Sequence, residues 1–383
     1  MCLSEPAGTY RVATDVGGTF TDLVGYRVDR KTASAVEPVV YKVDSTPPDF
    51  ADGVFAALGG AGLDPAEIGY FAHGSTVVIN TLLSRSGAPT ALVTTEGFRD
   101  VLEIGRGNRP DLFNLYYSKP PPFVPRRLRF EMRERTDHLG EVLVTPDATE
   151  LDAIADALRI EGIDAVALCF LHAYANSENE RYVEAELTRR LPGVSVLASH
   201  RVSTEWREFE RTSSTVLAAY VHPVTSRYID ALAEGMDARG VPVPPHLMLS
   251  NGGVAGPSTV GENPLALIES GPASGVIGAA AVGRAIGRLN VVTLDIGGTT
   301  AKCSLIRDGQ IRIVTDYAIE QSKTSPGYPA RTPVVDIVEI GNGGGSIAWL
   351  DEGGKLHVGP VSAGARPGPA IYGRGGTRAT TTD

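Results

Sequence analysis

Two stretches of the sequence repeat one pattern and decide the fold. The first reads Val12-Ala-Thr-Asp15-Val-Gly-Gly-Thr19-Phe-Thr-Asp22-Leu23, and the second reads Val292-Thr-Leu-Asp295-Ile-Gly-Gly-Thr299-Thr-Ala-Lys302-Cys303. In each stretch an apolar run typical of a β-strand ends in Asp, two glycines form a turn, and a second strand follows. We therefore expect two β-hairpins with equivalent turns, 280 residues apart (295 minus 15).

The residue types of the repeat suit phosphate and metal binding. Asp15 and Asp295, each at the end of a strand, can hold Mg²⁺ directly or through water. Paired glycines let the backbone approach a phosphate and turn its N–H groups toward it. Two facing hairpins could clamp one nucleotide and stabilise charge during phosphoryl transfer. The predicted nucleotide-binding residues are Gly17, Gly18, Thr19, Thr21, Gly297, Gly298, Thr299, Thr300, Gly344 and Gly345.

A simpler interpretation is that Asp-Gly-Gly only marks a hairpin turn. That explanation is reasonable for one copy and much weaker for two. The sequence contains no GxxxxGK[ST] motif, which excludes a P-loop enzyme. Lys302 of the later copy stands where the first copy has Asp22. It could bind a phosphate oxygen or lie on the surface.

Other polar residues are candidates for chemistry, and the predicted catalytic set is Asp15, His73, Asp295 and Arg106. His73 follows a short apolar strand and could orient substrate or transfer a proton, or it could be a hydrogen-bonded turn residue. Arg106 begins a long segment without periodicity and could bind a carboxylate or phosphate with two hydrogen bonds, or be an ordinary loop arginine. For Glu210 we favour a structural salt bridge.

Alternating strands and helices predict an α/β fold with a largely parallel sheet. Capping-box patterns begin two helices, at Asp147-x-x-Glu150 and at Ser177-x-x-Glu180. Residues 203–220 and 223–239 are predicted as two separate helices around Pro223. The main boundary is placed near residue 200.

Composition excludes several classes of protein. The 383 residues are 42% apolar and 21% charged, as in an ordinary folded domain. The net charge of −10 argues against a nucleic-acid binder. Residues 1–9 lack a basic and apolar leader, and no stretch approaches 18 apolar residues, so we expect a cytoplasmic protein without a membrane span. Three scattered cysteines support neither disulfides nor a zinc site.

Several stretches resemble the hydantoinase/oxoprolinase family. The first hairpin, from Asp15 to Asp22, is similar to the first phosphate motif of that family. The resemblance covers nearly the whole chain and continues through His73-Gly-Ser-Thr76, Ala91-Leu-Val-Thr-Thr-Glu-Gly-Phe-Arg-Asp-Val-Leu-Glu-Ile-Gly-Arg106, Asn108-Arg-Pro-Asp111, Glu210-Arg-Thr-Ser-Ser-Thr215, Ser250-Asn-Gly-Gly253, Ser270-Gly-Pro-Ala273, Gly343-Gly-Gly-Ser-Ile-Ala-Trp349 and Val358-Gly-Pro-Val-Ser-Ala-Gly-Ala365.

The resemblance implies a fold of the actin-like ATPase (ribonuclease H-like) type, in which two lobes carry mixed sheets flanked by helices. Residues 1–200 would form the N-terminal hydantoinase/oxoprolinase domain with the first phosphate motif. Residues 201–383 would begin the hydantoinase A domain with the second motif. Family chains usually continue for about as long again, so we expect the second lobe to be incomplete in this sequence.

The resemblance also implies ATP-dependent chemistry with Mg²⁺ on an amide or carbonyl oxygen. Members open cyclic amides such as 5-oxoproline or N-methylhydantoin, and many work with a separate B-type subunit. Expected partners are therefore a small cyclic amide, a B-type subunit and, in a homo-oligomer, further copies of the chain. Two alternatives stay open: a subunit of an ATP-dependent ketone carboxylase, and a non-catalytic nucleotide-binding module.

Overall fold

The structure is a computed structural model that describes residues 10–28, 38–107, 109–298, 300–322 and 324–383. Thr299, Asn108 and the N-terminal residues 1–9 lie outside the described residues. The α-helices in the described ranges are α1 Phe50–Gly60, α2 Val77–Leu83, α3 Val101–Ile104, α4 Ala148–Ile160, α5 Glu178–Arg190, α6 Ser199–Val202, α7 Glu208–Ala238, α8 Pro257–Glu262 and α9 Ser270–Ala285.

The described strands run from the first hairpin to the end of the chain. They are β1 Tyr10–Val16, β2 Phe20–Arg27, β3 Val39–Asp44, β4 Ile68–Ser75, β5 Thr90–Thr95, β6 Arg129–Met132, β7 Arg135–Thr136, β8 Val142–Val144, β9 Ala165–Cys169, β10 Ser195–Ala198, β11 Pro245–Met248, β12 Val254–Ala255, β13 Val291–Ile296, β14 Ala301–Arg307, β15 Gln310–Ile311, β16 Ile313–Val314, β17 Tyr317–Ile319, β18 Tyr328–Ala330, β19 Val334–Val335, β20 Val338–Ile340, β21 Ser346–Leu350 and β22 Leu356–Ser362.

The first hairpin lies in a six-stranded mixed sheet with the order β12-β11-β4-β1-β2-β3. β1 pairs antiparallel with β2 and parallel with β4, and β4 pairs parallel with β11. Alternate side chains of β1, such as Val12 and Val16, enter the main core. This placement anchors Asp15, at the carboxyl end of β1, in the middle of a sheet.

A second sheet, with the order β10-β9-β5-β6, is parallel throughout, as the sequence predicts. Its strand β9 is buried at every residue, which is typical of a strand covered on both faces. Helix α7 packs against β9, and β11 lies beside β4, so residues on both sides of position 200 share one core. The division into two domains near residue 200 stays a prediction about sequence regions.

Helix α7 differs from the sequence prediction, since it is one helix of 31 residues that contains Pro223. A proline inside a helix removes one main-chain hydrogen bond and usually kinks or ends the helix. Most residues from Glu210 to Val221 are buried, so packing on both sides of Pro223 holds the helix together. Within the described residues, no helix is long and apolar enough to cross a membrane.

The second hairpin lies in a smaller sheet, β13-β14-β15, in which β20 also pairs with β14. Helix α9 packs on one face of this sheet. On the other face Val292 and Ile296 are 66% and 60% exposed, whereas the equivalent Val12 and Val16 of the first hairpin are 1% and 0% exposed. The two hairpins therefore share a local structure but sit in different surroundings among the described residues.

Candidate functional site

The turns of the two hairpins have the same closing hydrogen bond. Gly17 donates its N–H to the carbonyl of Phe20 at 2.9 Å, and Gly297 donates to the carbonyl of Thr300 at 3.0 Å. Gly297 follows Gly17 by 280 residues and Thr300 follows Phe20 by the same number, which is the offset of the sequence repeat. The repeat in the sequence is therefore a repeat of turn geometry.

The two turns also face each other. A Cβ placed on Gly298 would lie 3.1 Å from Thr19 Oγ1, so the first turn approaches the second at a distance that favours glycine. At Gly18 the nearest atom to an added Cβ would be Asn80 Nδ2, at 3.7 Å. The structure thus brings the two predicted phosphate-binding turns to one cleft, although Thr299 lies outside the described residues.

Two glycines from distant parts of the chain crowd the carboxylate of Asp15. A Cβ on Gly74, in β4, would lie 2.9 Å from Asp15 Oδ1, and a Cβ on Gly271, in the first turn of α9, would lie 2.7 Å from the same oxygen. Real side chains do not approach so closely, so both positions require glycine while Asp15 keeps this orientation. The carboxylate is therefore held between β4 and the start of α9.

The charges around Asp15 oppose its ionisation. Burial, together with the neighbouring carboxylates of Asp22 and Asp295, raises the pKa of Asp15 to about 6, against the lowering effect of Lys42 and Lys302. Asp15 and Asp295 therefore lie close enough to repel each other across the cleft. A cation between them would relieve that repulsion.

The described residues fit a magnesium ion only in a shared site. Nowhere in those ranges do three His, Cys, Asp or Glu side chains gather as a metal site. Mg²⁺ in nucleotide enzymes is commonly held by one or two carboxylates together with phosphate oxygens and water. Asp15 and Asp295 match that donor set, with the phosphates as the remaining ligands.

Three charged residues lie side by side across the strands of the first hairpin. Asp15 is opposite Asp22 on β2, and Asp22 is opposite Lys42 on β3. Lys42 Nζ lies 2.6 Å from one carboxylate oxygen of Asp22 and 2.5 Å from the other. We call Asp15, Asp22 and Lys42 the first charge ladder; its net formal charge is −1.

The second charge ladder consists of Asp295, Lys302 and Glu339, on β13, β14 and β20. Lys302 Nζ forms an ion pair with Glu269, just before α9, and lies 3.6 Å from Glu339 Oε1. The Lys302 side chain is only 12% exposed, so it is not an ordinary surface residue. The second ladder also has a net formal charge of −1. Its cation stands on the strand next to the turn aspartate, whereas Lys42 in the first ladder is two strands away from Asp15.

The loop at Gly344 and Gly345 supports the second turn through its backbone. The Gly344 N–H donates to the carbonyl of Gly297 at 2.8 Å, and the Gly345 N–H donates to the carbonyl of Gly298 at 2.6 Å. Thr382 Oγ1 in turn donates to the carbonyl of Gly344 at 2.8 Å. Both amides are thus engaged within the protein, and the predicted nucleotide contact of this loop stays a prediction.

His73 lies in the core on β4, next to β1, the strand that carries Asp15. It is 1% exposed; its Nδ1 is 2.7 Å from Thr14 Oγ1 and its Nε2 is 2.5 Å from Tyr228 Oη on α7. Burial lowers the pKa of His73 to about 3, so the imidazole is neutral near pH 7. This geometry suits a residue that positions β1 and β4, and the predicted catalytic role stays a prediction.

We expect Tyr228→Phe to reduce the free energy of unfolding by about 1–3 kcal/mol, because it leaves the buried His73 Nε2 without a partner. Nucleotide affinity should change less than about threefold, since Tyr228 stands on helix α7 and belongs to neither glycine turn. Urea unfolding followed by circular dichroism measures the first effect, and calorimetric titration measures the second. An unchanged unfolding midpoint would contradict the structural role of this contact.

Arg106 is engaged by a carboxylate of α7. Its Nε and Nη2 donate to the two carboxylate oxygens of Glu210 at 3.0 and 2.5 Å. The salt bridge favoured for Glu210 is thereby confirmed. It fastens the start of the long segment after residue 105 to α7, and the predicted catalytic role of Arg106 stays a prediction.

Sequence reasoning missed the residues that shape the site from a distance. Gly74 and Gly271 enclose the carboxylate of Asp15. Glu269 pairs with Lys302 of the second charge ladder, and Lys42 pairs with Asp22 of the first. The first two glycines stand inside the stretches His73-Gly-Ser-Thr76 and Ser270-Gly-Pro-Ala273. In each stretch the glycine follows a polar residue, His73 or Ser270. The sequence does not reveal its contact, because Asp15 is more than 50 residues away in both cases.

Two family models match the chain, and several known proteins are similar to it. Residues 11–191 match the family model of the hydantoinase/oxoprolinase N-terminal region, and residues 211–383 match the hydantoinase/oxoprolinase model. The chain is 34% identical to caprolactamase subunit alpha of Pseudomonas jessenii over 98% of this chain and 53% of that protein. It is 30% identical to 5-oxoprolinase of Saccharomyces cerevisiae over 96% of this chain and 31% of that protein.

Solved structures show the same fold. A nucleotide-free acetone carboxylase aligns with a TM-score of 0.83 at 26% identity, over 97% of this chain and 54% of that chain. The ATP-dependent caprolactamase of P. jessenii aligns with a TM-score of 0.77 at 33% identity, with the same coverage of both chains. The chain thus spans about half the length, or less, of these relatives. The expected α/β fold of the actin-like ATPase type is confirmed, and the chain belongs to the hydantoinase/oxoprolinase family.

Proposed function

We propose that this chain is the nucleotide-binding part of an ATP-dependent enzyme that activates a cyclic amide by phosphorylating its carbonyl oxygen. The observation that carries the proposal is the meeting of two equivalent glycine turns, with Asp15 and Asp295 repelling each other across the cleft. The relatives named caprolactamase and 5-oxoprolinase support the cyclic-amide class of substrate.

Each part of the cleft has a distinct task in this proposal. The turns Gly17-Gly18 and Gly297-Gly298 bring backbone close to the phosphates, and Asp15 and Asp295 hold Mg²⁺. Bound Mg-ATP supplies the phosphoryl group and a compensating positive charge. The chain itself orients the phosphates and keeps the carboxylates in place, which is the main protein contribution to phosphoryl transfer.

The reaction class follows from the weakness of an amide as an electrophile. The amide oxygen attacks the terminal phosphorus, the bond from that phosphorus to ADP breaks, and the phosphorylated carbonyl carbon becomes open to attack by water. We assign the later hydrolytic step to a B-type partner subunit. Names of relatives as subunits, such as caprolactamase subunit alpha, support this division.

A second candidate function has one specific observation in its favour. The acetone carboxylase structure aligns with a higher TM-score than the caprolactamase structure, 0.83 against 0.77. A ketone carboxylase subunit would use the same cleft to phosphorylate an enol or carbonyl oxygen. The two candidates therefore share the nucleotide site and differ in the acceptor.

We expect Mg-ATP to bind the 383-residue chain, and ADP to form only when a suitable acceptor is added. At a ligand concentration 100 times Kd, binding should stabilise the fold by about 2.7 kcal/mol. Calorimetry and thermal unfolding test binding. A coupled ADP assay with 5-oxoproline, caprolactam, hydantoin, or acetone with bicarbonate tests the acceptor, each with and without a B-type subunit.

The outcomes separate the candidates. ADP formation with a lactam or hydantoin supports the cyclic-amide function, whereas formation only with acetone and bicarbonate supports the carboxylase. Binding without turnover in any mixture would leave a nucleotide-binding module and contradict the proposed activity. Absence of binding would contradict the nucleotide site itself.

A further inference from the structure

The two charge ladders differ in one chemically important position. Lys302 stands on β14 opposite Asp295, where the first hairpin has Asp22 opposite Asp15. The second ladder therefore presents an ammonium group beside the turn aspartate, whereas the cation of the first ladder, Lys42, is one strand farther away.

Lys302 is held in place by a carboxylate with an unusual backbone. Glu269 is buried and has a left-handed conformation, with φ 59° and ψ 21°, which is uncommon for a residue other than glycine. Besides its ion pair with Lys302, it accepts a hydrogen bond from Tyr317 Oη at 3.2 Å. Strain of this kind persists only where the surroundings fix it, so the ammonium has a defined position.

The anchor of Lys302 and the wall of Asp15 belong to one turn. Glu269 precedes α9 directly, and Gly271, two residues later, contacts the carboxylate of Asp15. Lys302 lies directly opposite Asp295 on the paired strand. The residue that holds the Lys302 ammonium and the residue that walls in Asp15 therefore stand two positions apart in one turn.

Open space adjoins this ammonium. A cleft of about 260 Å³ is lined by Lys302, Asp295 and Thr293 together with Pro272 and Gly275 of α9. The charged residues of its lining are Asp295 and Lys302, and most of the other lining residues are apolar. A phosphate can enter such a space only where a cation meets it. Lys302 lines this cleft and Lys42 is not among its lining residues, so Lys302 is the better placed lysine of the two ladders.

We propose that Lys302 contacts the terminal phosphate of the bound nucleoside triphosphate, so that the cleft distinguishes a triphosphate from a diphosphate. Glu269 is then the positioning residue that aims this ammonium. The inference rests on the proposed nucleotide site and adds a residue that selects for the terminal phosphate. A lysine at this site acts as a charged donor without the fixed geometry of arginine.

The test compares Mg-ATP and Mg-ADP affinities by calorimetry, for the wild-type chain and for Lys302→Met. We expect Lys302→Met to weaken ATP binding roughly ten- to hundredfold, which is typical for loss of a hydrogen bond between charged groups. ADP binding should change less than about threefold. The ratio of the two affinities is therefore the decisive quantity, and it requires no catalytic turnover.

Two further variants keep the result interpretable. Lys42→Met removes the same charge from the first ladder and should leave the ATP to ADP ratio within about twofold of wild type. Removing Lys302 alone leaves Glu269 buried without its cation, so Lys302→Met with Glu269→Gln is the replacement variant if the single change prevents folding. It should show the same loss of ATP preference.

Failure of the inference and failure of the nucleotide site have different signatures. If the wild-type chain binds ATP and either Lys302 variant keeps the wild-type ratio, Lys302 serves only as a counter-ion of Glu269 and the inference is wrong. An equal loss in Lys42→Met would show general electrostatics instead of contact, and would also overturn it. No ATP binding by the wild-type chain would refute the proposed site.

Discussion

Asp15→Asn should weaken Mg-ATP binding by about 2–5 kcal/mol, or about 30- to 4000-fold, because it removes one of the two charges that hold the metal in the proposed site. The substitution keeps the shape of the side chain between Gly74 and Gly271. It also removes a carboxylate whose pKa is raised to about 6, so its ionised form is disfavoured in the folded chain. We therefore expect the nucleotide-free chain to be as stable as wild type, or more stable, above pH 6.

Calorimetric titration with Mg-ATP and thermal unfolding without nucleotide measure the two effects. Asp295→Asn should show a similar loss of affinity, since the proposed site uses both carboxylates. Asp22→Asn is the matched control, because Asp22 stands in the same ladder but pairs with the exposed Lys42, and a surface pair contributes about 0–1 kcal/mol. Unchanged ATP affinity in Asp15→Asn would rule out Asp15 as the metal ligand.

Gly271→Ala is the second change with a large expected effect. The new Cβ would stand 2.7 Å from Asp15 Oδ1, so the carboxylate must move away from its position in the cleft. A displacement of about 1 Å in a reacting geometry can lower a rate about 100-fold. We expect ADP formation to fall by about that factor, with a weaker loss of ATP affinity.

The control for this variant lies in the same helix. Gly278 is exposed and has open space around its Cβ position, so Gly278→Ala should leave ATP affinity unchanged. Alanine is also the better helix former, and the fold should gain about 0.5–1 kcal/mol. If both variants behaved alike in ATP binding and ADP formation, the close approach of Gly271 to Asp15 would have no functional meaning.

Local sequence patterns predicted the local parts of the site. The hairpin turns follow from a glycine pair between two apolar runs, and their closing bonds at Gly17 and Gly297 are equivalent. The cap at Asp147 forms as its pattern indicates, with N–H groups of Thr149 and Glu150 donating to the carboxylate at 2.9 and 3.2 Å. Each of these features is decided by residues a few positions apart.

Features that depend on distant residues were not predictable in the same way. Ser177 has the same capping pattern, but its hydroxyl accepts a hydrogen bond from Arg181 and makes no cap bond. The other residue of that pattern, Glu180, is fully buried, where it accepts from Phe170 N–H and lies 3.7 Å from Arg211. A buried charge partner outweighs a local cap, and only the folded chain reveals it.

The walls of the cleft show the same limit. Nothing local to Gly271 announces a contact with Asp15, which is 256 residues earlier (271 minus 15). Likewise the ion pair of Lys302 with Glu269 needs β14 and the start of α9 to meet. The sequence therefore predicted the two equivalent turns, while the residues that orient Asp15 and Lys302 required the tertiary structure.

The two charge ladders separate a constant part of each hairpin from a variable part. An aspartate and two glycines recur in both copies, whereas the neighbouring strands carry Asp22 and Lys42 in one and Lys302 and Glu339 in the other. Both ladders have a net formal charge of −1 although their residues differ. As a duplicated module, such a hairpin lets the two sides of one cleft specialise independently while the turn geometry is preserved.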